Sequence, residues 1–172
     1  WKGRSLDKLN AAQPSASVYE DLANERSYYG FLASARLDKT PTLKHAPAPS
    51  NDSVKAQLAL SPSALRAREL YQLGRWVEAR REWRDLVSDL NKDETREAAM
   101  LASEWGWYDQ AIIGFAKSGY LDDVDKRFPL AFAPEFSRQG DVHGVDTAFA
   151  MAIARRESSF GGCCLTGRRE RL

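Results

Sequence analysis

Gly74, Trp76 and Ala79 stand in the spacing G-x-W-x-x-A, and 32 residues later Gly106, Tyr108 and Ala111 repeat it as G-x-Y-x-x-A. In each case a glycine ends one helix, an aromatic residue opens the next, and a small alanine lets the second helix lie close against the first. A period of this size belongs to arrays of stacked helix pairs, in which no repeat buries its apolar face alone. The flanking segments agree. SPSALRARELYQLG has Ser61 as N-cap, Pro62 in the first helical position and Gly74 as stop. RWVEARREWRDLVSDL puts Trp76, Ala79, Trp83 and Leu86/Val87 on one stripe, and TREAAMLASEWG and WYDQAIIGFAKSG follow. No stretch keeps a period of two, so the chain reads as all-α.

Upstream, VYEDLANERSYYGFLASARL carries Val18, Leu22, Tyr28, Phe31, Leu32 and Ala35 near helical spacing, with Gly30 as a tolerated interruption. Pro41, Pro47 and Pro49 then interrupt any periodicity. The organisation expected is a helical segment over 1–37, a proline-rich linker or loop over 38–60, helix pairs over 61–122, and a further helical part over 123–172 whose last stretch, 161–172, is atypical. Trp76, Trp83, Trp105 and Tyr108 invite a sugar-stacking surface, but at helical spacing they are expected as ridges of the core.

Composition narrows the classes of function. Lys+Arg 25 against Asp+Glu 24 leaves no basic field for nucleic acid. No window nears the roughly 18 apolar residues of a membrane span. Cys163 and Cys164 are adjacent, a poor geometry for a disulfide and not a metal spacing, and His45 and His143 lie far from them and from each other. Neither a metal nor a cofactor is expected. The chain starts at Trp1 with no initiating methionine or signal segment, as for a fragment or a chain whose presequence has been removed.

The candidate catalytic residue is Glu157. In VDTAFAMAIARRESSF, residues 145–160, Asp146 or Thr147 caps the start, and Phe149, Ile153 and Phe160 fall on one stripe with Glu157. If that stripe packs inward, the carboxylate loses water, which raises its pKa toward that of a general acid. If the helix instead ends near Arg156, Glu157 is a solvated terminal residue. Spacing leaves both open.

KRFPLAFAPEFSRQ (126–139) followed by FAMAIARRESSF (149–160) resembles the soluble lytic murein transglycosylases, in which an RFPLAY-type stretch leads to a helix of the type A-I-x-R-x-E-S-x-F/W. YYGFLASARL (28–37) and the helix pairs to Gly119 resemble the family's helical region. The resemblance implies a superhelical domain up to about residue 122 and, from 123, the start of a lysozyme-like domain similar to goose-type lysozyme. It implies Glu157 as the single acid/base, cleaving peptidoglycan strands between N-acetylmuramic acid and N-acetylglucosamine without hydrolysis to give 1,6-anhydro ends. It also implies a monomer in the periplasm, with no transmembrane segment and no cofactor.

After the E-S motif the family continues with an N-P-x-A-x-S-x-x-G-A-x-G-L-M-Q type segment, whereas here GGCCLTGRRERL follows Phe160. The expectation is a truncation or frameshift: codons for GRRERL, read one base later, give Gly-Ala-Ala-Ser-Gly-Leu. Little catalysis is then expected of these residues alone. Two other functions stay open, a non-catalytic helical remnant or binding scaffold, and a goose-type lysozyme-like hydrolase.

Overall fold

A computed structural model describes residues 1–10 and 12–161, whose only regular structure is helical. Contacts divide the chain into two units, Trp1–His45 and the residues from Ala46 onward.

In the first unit, α1 (Lys2–Lys8), α2 (Ala12–Ala23) and α3 (Tyr28–Arg36) pack in succession. Residues 18–37 do not form one helix, as their periodicity suggests. The chain breaks at Asn24, and Ser27, in an extended conformation, caps α3 by accepting from Gly30 N at 3.1 Å. The expected stripe is not the buried one: Tyr28, Leu32 and Ala35 are exposed, while Gly30, Ala33 and Ser34 are buried. Gly30 is no tolerated interruption either, because a Cβ there would run into the Glu25 carbonyl oxygen and lie 2.9 Å from that of Leu22. The backbones meet where only hydrogen fits. Gly30→Ala is expected to destabilise this unit by about 2 kcal/mol, read as a lower urea midpoint; an unchanged midpoint would refute the close approach.

In the second unit, residues 46–51 run extended, held by backbone amides on buried carboxylates. Ala48 N donates to Asp123 Oδ2 and Asn51 N to Glu97 Oε1, each at 2.9 Å. The segment expected as a linker over 38–60 contains a helix, α4 (Asp52–Ala59). All three prolines lie before its cap, Asn51, and Leu58 and Ala59 pack on the core beyond.

The helix pairs are α5 (Pro62–Gln72) with α6 (Trp76–Val87) and α7 (Lys92–Glu104) with α8 (Tyr108–Ser118). Ser61 caps α5, as its sequence predicts, and Asn91 with Glu94 forms a capping box on α7. The turns within the pairs are copies of one another. Gly74 has φ 72° and Gly106 φ 71°, and the residues that follow, Arg75 and Trp107, have φ/ψ of −83°/65° and −88°/69°. Arg75 N donates to Leu70 O at 2.9 Å, and Trp107 N to Ala102 O at 2.8 Å, the same closure in each turn.

Ala79 and Ala111, wholly buried, bring the helices together around Ala67, Trp83, Leu101 and Trp107. The expected aromatic ridge holds: Trp83 is buried, Trp76 and Trp105 are half-buried, and Trp105 meets Trp83 edge-on at 5.6 Å. Trp107 is the largest fully buried side chain among the described residues. Tyr71 from the first turn stacks on it at 4.6 Å and donates its hydroxyl to Gly106 O at 3.0 Å. Burial, and then the Asp109 carboxylate, pushes the Tyr71 phenol above its usual range.

Beyond α8 lie α9 (Val124–Arg127), α10 (Ala133–His143) and α11 (Thr147–Ser158). A second cluster of Ile112, Ala131 and Phe160, with Tyr108, Phe136, Met151 and Ala154 around it, joins α8 to this part.

Candidate functional site

Asp146, one of two expected caps, opens α11 by accepting from Phe149 N at 2.8 Å. The helix ends at Ser158, and Ser159 and Phe160 both adopt left-handed backbone, φ 50° and 59°. Phe160 therefore leaves the stripe on which its spacing placed it. The turn swings its ring into the cluster beside Ile112 and Ala131, and 6% of it stays exposed.

Glu157 sits in the last turn of α11, as its sequence predicts, but the stripe faces outward. Met151, Ala154 and Ser158 form the half-buried face, and Phe149, Ile153 and Glu157 lie together on the exposed one. Of the two readings that spacing left open, the solvated one holds at Glu157, because Phe160, which would have anchored an inward stripe, packs by way of the turn. The described residues do not remove water from Glu157.

The neighbouring Arg155 is set differently. Its Nε donates to Arg127 O at 3.0 Å and its guanidinium lies 4.2 Å over the Phe128 ring. Burial, and then the nearby Arg127 and Arg156, lowers its pKa below the usual arginine value. These contacts bring together the two segments singled out in the sequence, RFPLAF on one side and α11 on the other. Between them runs a mostly apolar groove of about 580 Å³, lined by Phe128, Leu130, Met151, Arg155 and Phe160 among others; Glu157 does not line it.

Sequence reading passed over one further group. Asp109, in the first turn of α8, is buried, and Arg80 of α6 reaches its Oδ2 through Nε at 3.2 Å and Nη2 at 2.9 Å. Its signal is the acid after the repeated aromatic, in WYD, which the first copy of the repeat lacks.

Among the described residues no cluster of His, Cys, Asp and Glu could hold a metal, and no helix is long and apolar enough to cross a membrane. Cys163, Cys164 and the tail expectation from residue 162 onward lie outside the described residues.

Residues 57–124 match the soluble lytic murein transglycosylase L domain. The soluble lytic murein transglycosylase of Salmonella typhimurium is 31% identical over 160 residues, 93% of this chain and 24% of that protein. The protein of the same name from Escherichia coli strain K12 is 29% identical over the same shares. Among solved structures, an inactive mutant of the Pseudomonas aeruginosa lytic transglycosylase superposes with TM-score 0.79 at 34% identity, covering 93% of this chain and 26% of that one. The 70 kDa soluble lytic transglycosylase from Escherichia coli gives TM-score 0.82 at 29% identity, with 94% and 26% covered. The chain spans about a quarter of the length of these relatives. From its sequence and its all-helical fold alike, the chain is similar to about a quarter of the length of the soluble lytic murein transglycosylases, with their L domain matched over residues 57–124.

Proposed function

We propose that this chain carries the acid/base of a peptidoglycan lytic transglycosylase, with Glu157 in that role. The observation that supports it most is the seating of α11: Arg155 and Phe160 fix the helix on the RFPLAF segment and leave Phe149, Ile153 and Glu157 together on one open face. On this reading residues 61–122 are superhelical helix pairs and residues from 123 onward begin a lysozyme-like domain. The enzyme works as a periplasmic monomer.

Glu157 gives its proton to the glycosidic oxygen between N-acetylmuramic acid and N-acetylglucosamine, and the C1–O bond breaks with its electron pair going to that oxygen. The substrate's own acetamido group assists at C1, so no second carboxylate is needed, an exception to the usual pair. The glutamate, now a base, takes the proton of the muramoyl 6-hydroxyl as that oxygen closes on C1. The product is a 1,6-anhydro sugar and the catalyst is restored.

A general acid acts on a substrate held in place and shielded from water. Because Glu157 is exposed, the chain by itself is expected to release about a hundredfold less product than when it replaces the matching quarter of the Pseudomonas aeruginosa relative. That exposure also favours a second reading, a helical binding scaffold. Peptidoglycan digested by the joined protein distinguishes them: anhydro ends by mass spectrometry support the transglycosylase, reducing ends would make it a hydrolase, and no product leaves the scaffold.

A further inference from the structure

Two successive non-glycine residues in left-handed backbone, Ser159 and Phe160, stand directly after the turn that bears Glu157. Such backbone persists only where its surroundings over-determine it. One restraint is the burial of Phe160 against Tyr108, Ile112 and Phe136. The other is less obvious. Gly161 is buried against the Arg80–Asp109 pair, so close that a Cβ on it would lie 3.3 Å from Arg80 Nη2 and 3.8 Å from Asp109 Cγ.

Asp109 is itself unusual. Its Oδ2 takes Arg80 and also Gln110 Nε2 at 3.1 Å, while Oδ1 is buried with no hydrogen-bond partner among the described residues. The pair joins α6 to the first turn of α8, so it belongs to the helix-pair repeat, yet it underlies the end of the glutamate's helix.

We propose that Arg80 and Asp109 are positioning residues for Glu157: from the helix-pair array they seat the Ser159–Gly161 turn, left-handed at Ser159 and Phe160, which sets where α11 ends and how its last turn presents the carboxylate. This rests on the role proposed for Glu157, but the turn can be read without any turnover.

Amide hydrogen exchange of the 172-residue chain, resolved by residue, tests it. Asp109→Asn keeps the shape and removes the charge. It is expected to speed exchange at residues 155–161 by about tenfold or more, with the amides of α5 and α7 within about twofold of the parent. Arg80→Lys, which keeps the charge but not the paired donors, is expected to give an intermediate effect. Unchanged exchange at 155–161 in both variants, or loosening confined to α6 and α8, would overturn the proposal and make the pair part of the repeat's packing alone. An inactive Glu157 would leave this result standing.

Discussion

Trp107→Ala is expected to cost the second unit about 4 kcal/mol, the middle of the range for a large buried aromatic. The residue is 1% exposed and sits where the second repeat turn enters α8. Its ring meets Tyr71 at 4.6 Å and Trp83 at 5.4 Å, so truncation strips a face from each. Nothing nearby collapses easily into the space, because the surrounding core is largely alanine: Ala67, Ala79, Ala98, Ala102 and Ala111 have no side-chain length with which to reach it. Urea unfolding followed by circular dichroism should show the midpoint falling with an unchanged slope. A loss below about 1 kcal/mol would mean that Trp107 does not anchor the stacked repeats.

The second large effect is on chemistry. Glu157→Gln replaces a carboxyl by an amide of the same size, which can neither give a proton to the leaving oxygen nor take one from the 6-hydroxyl. A positioned acid/base is worth roughly a hundred- to ten-thousandfold, and in the role proposed for it one residue would serve both halves of the reaction, so a loss on the order of a thousandfold is expected. Stability should hardly move, within about 0.5 kcal/mol, because the side chain is exposed at a helix end. This combination, activity lost and fold intact, separates a reacting group from a structural one.

What the sequence made legible was local. The repeated turn was readable because a glycine at positive φ between a helix end and an aromatic start is specified within a few residues, and the backbone angles of Gly74 and Gly106 agree to a degree. Ser61 and Asp146 were readable for the same reason, each capping through an amide three residues on, and Pro62 because its ring suits the first helical position. Long-range features were hidden. Glu97 and Asp123 grip residues 46–51 across 46 to 75 positions of chain, and the Arg80–Asp109 pair spans 29. Periodicity also misled where the backbone turned beneath it: Tyr28 and Leu32 continued the pattern of Val18 and Leu22 through a break, and Phe160 continued that of Phe149 and Ile153 past the end of α11. The position of Glu157 on α11 was legible; the direction of its face was not, because it depends on the turn at Ser159 and Phe160.

The central claim is that Glu157 is the acid/base of a non-hydrolytic cleavage. The measurement that meets it most directly is a paired digest of purified peptidoglycan by the chain joined to the rest of the Pseudomonas aeruginosa relative, with and without Glu157→Gln, and the muropeptides read by mass spectrometry. The account predicts 1,6-anhydromuropeptides from the first and about a thousandfold fewer from the second. Equal release from both would contradict it.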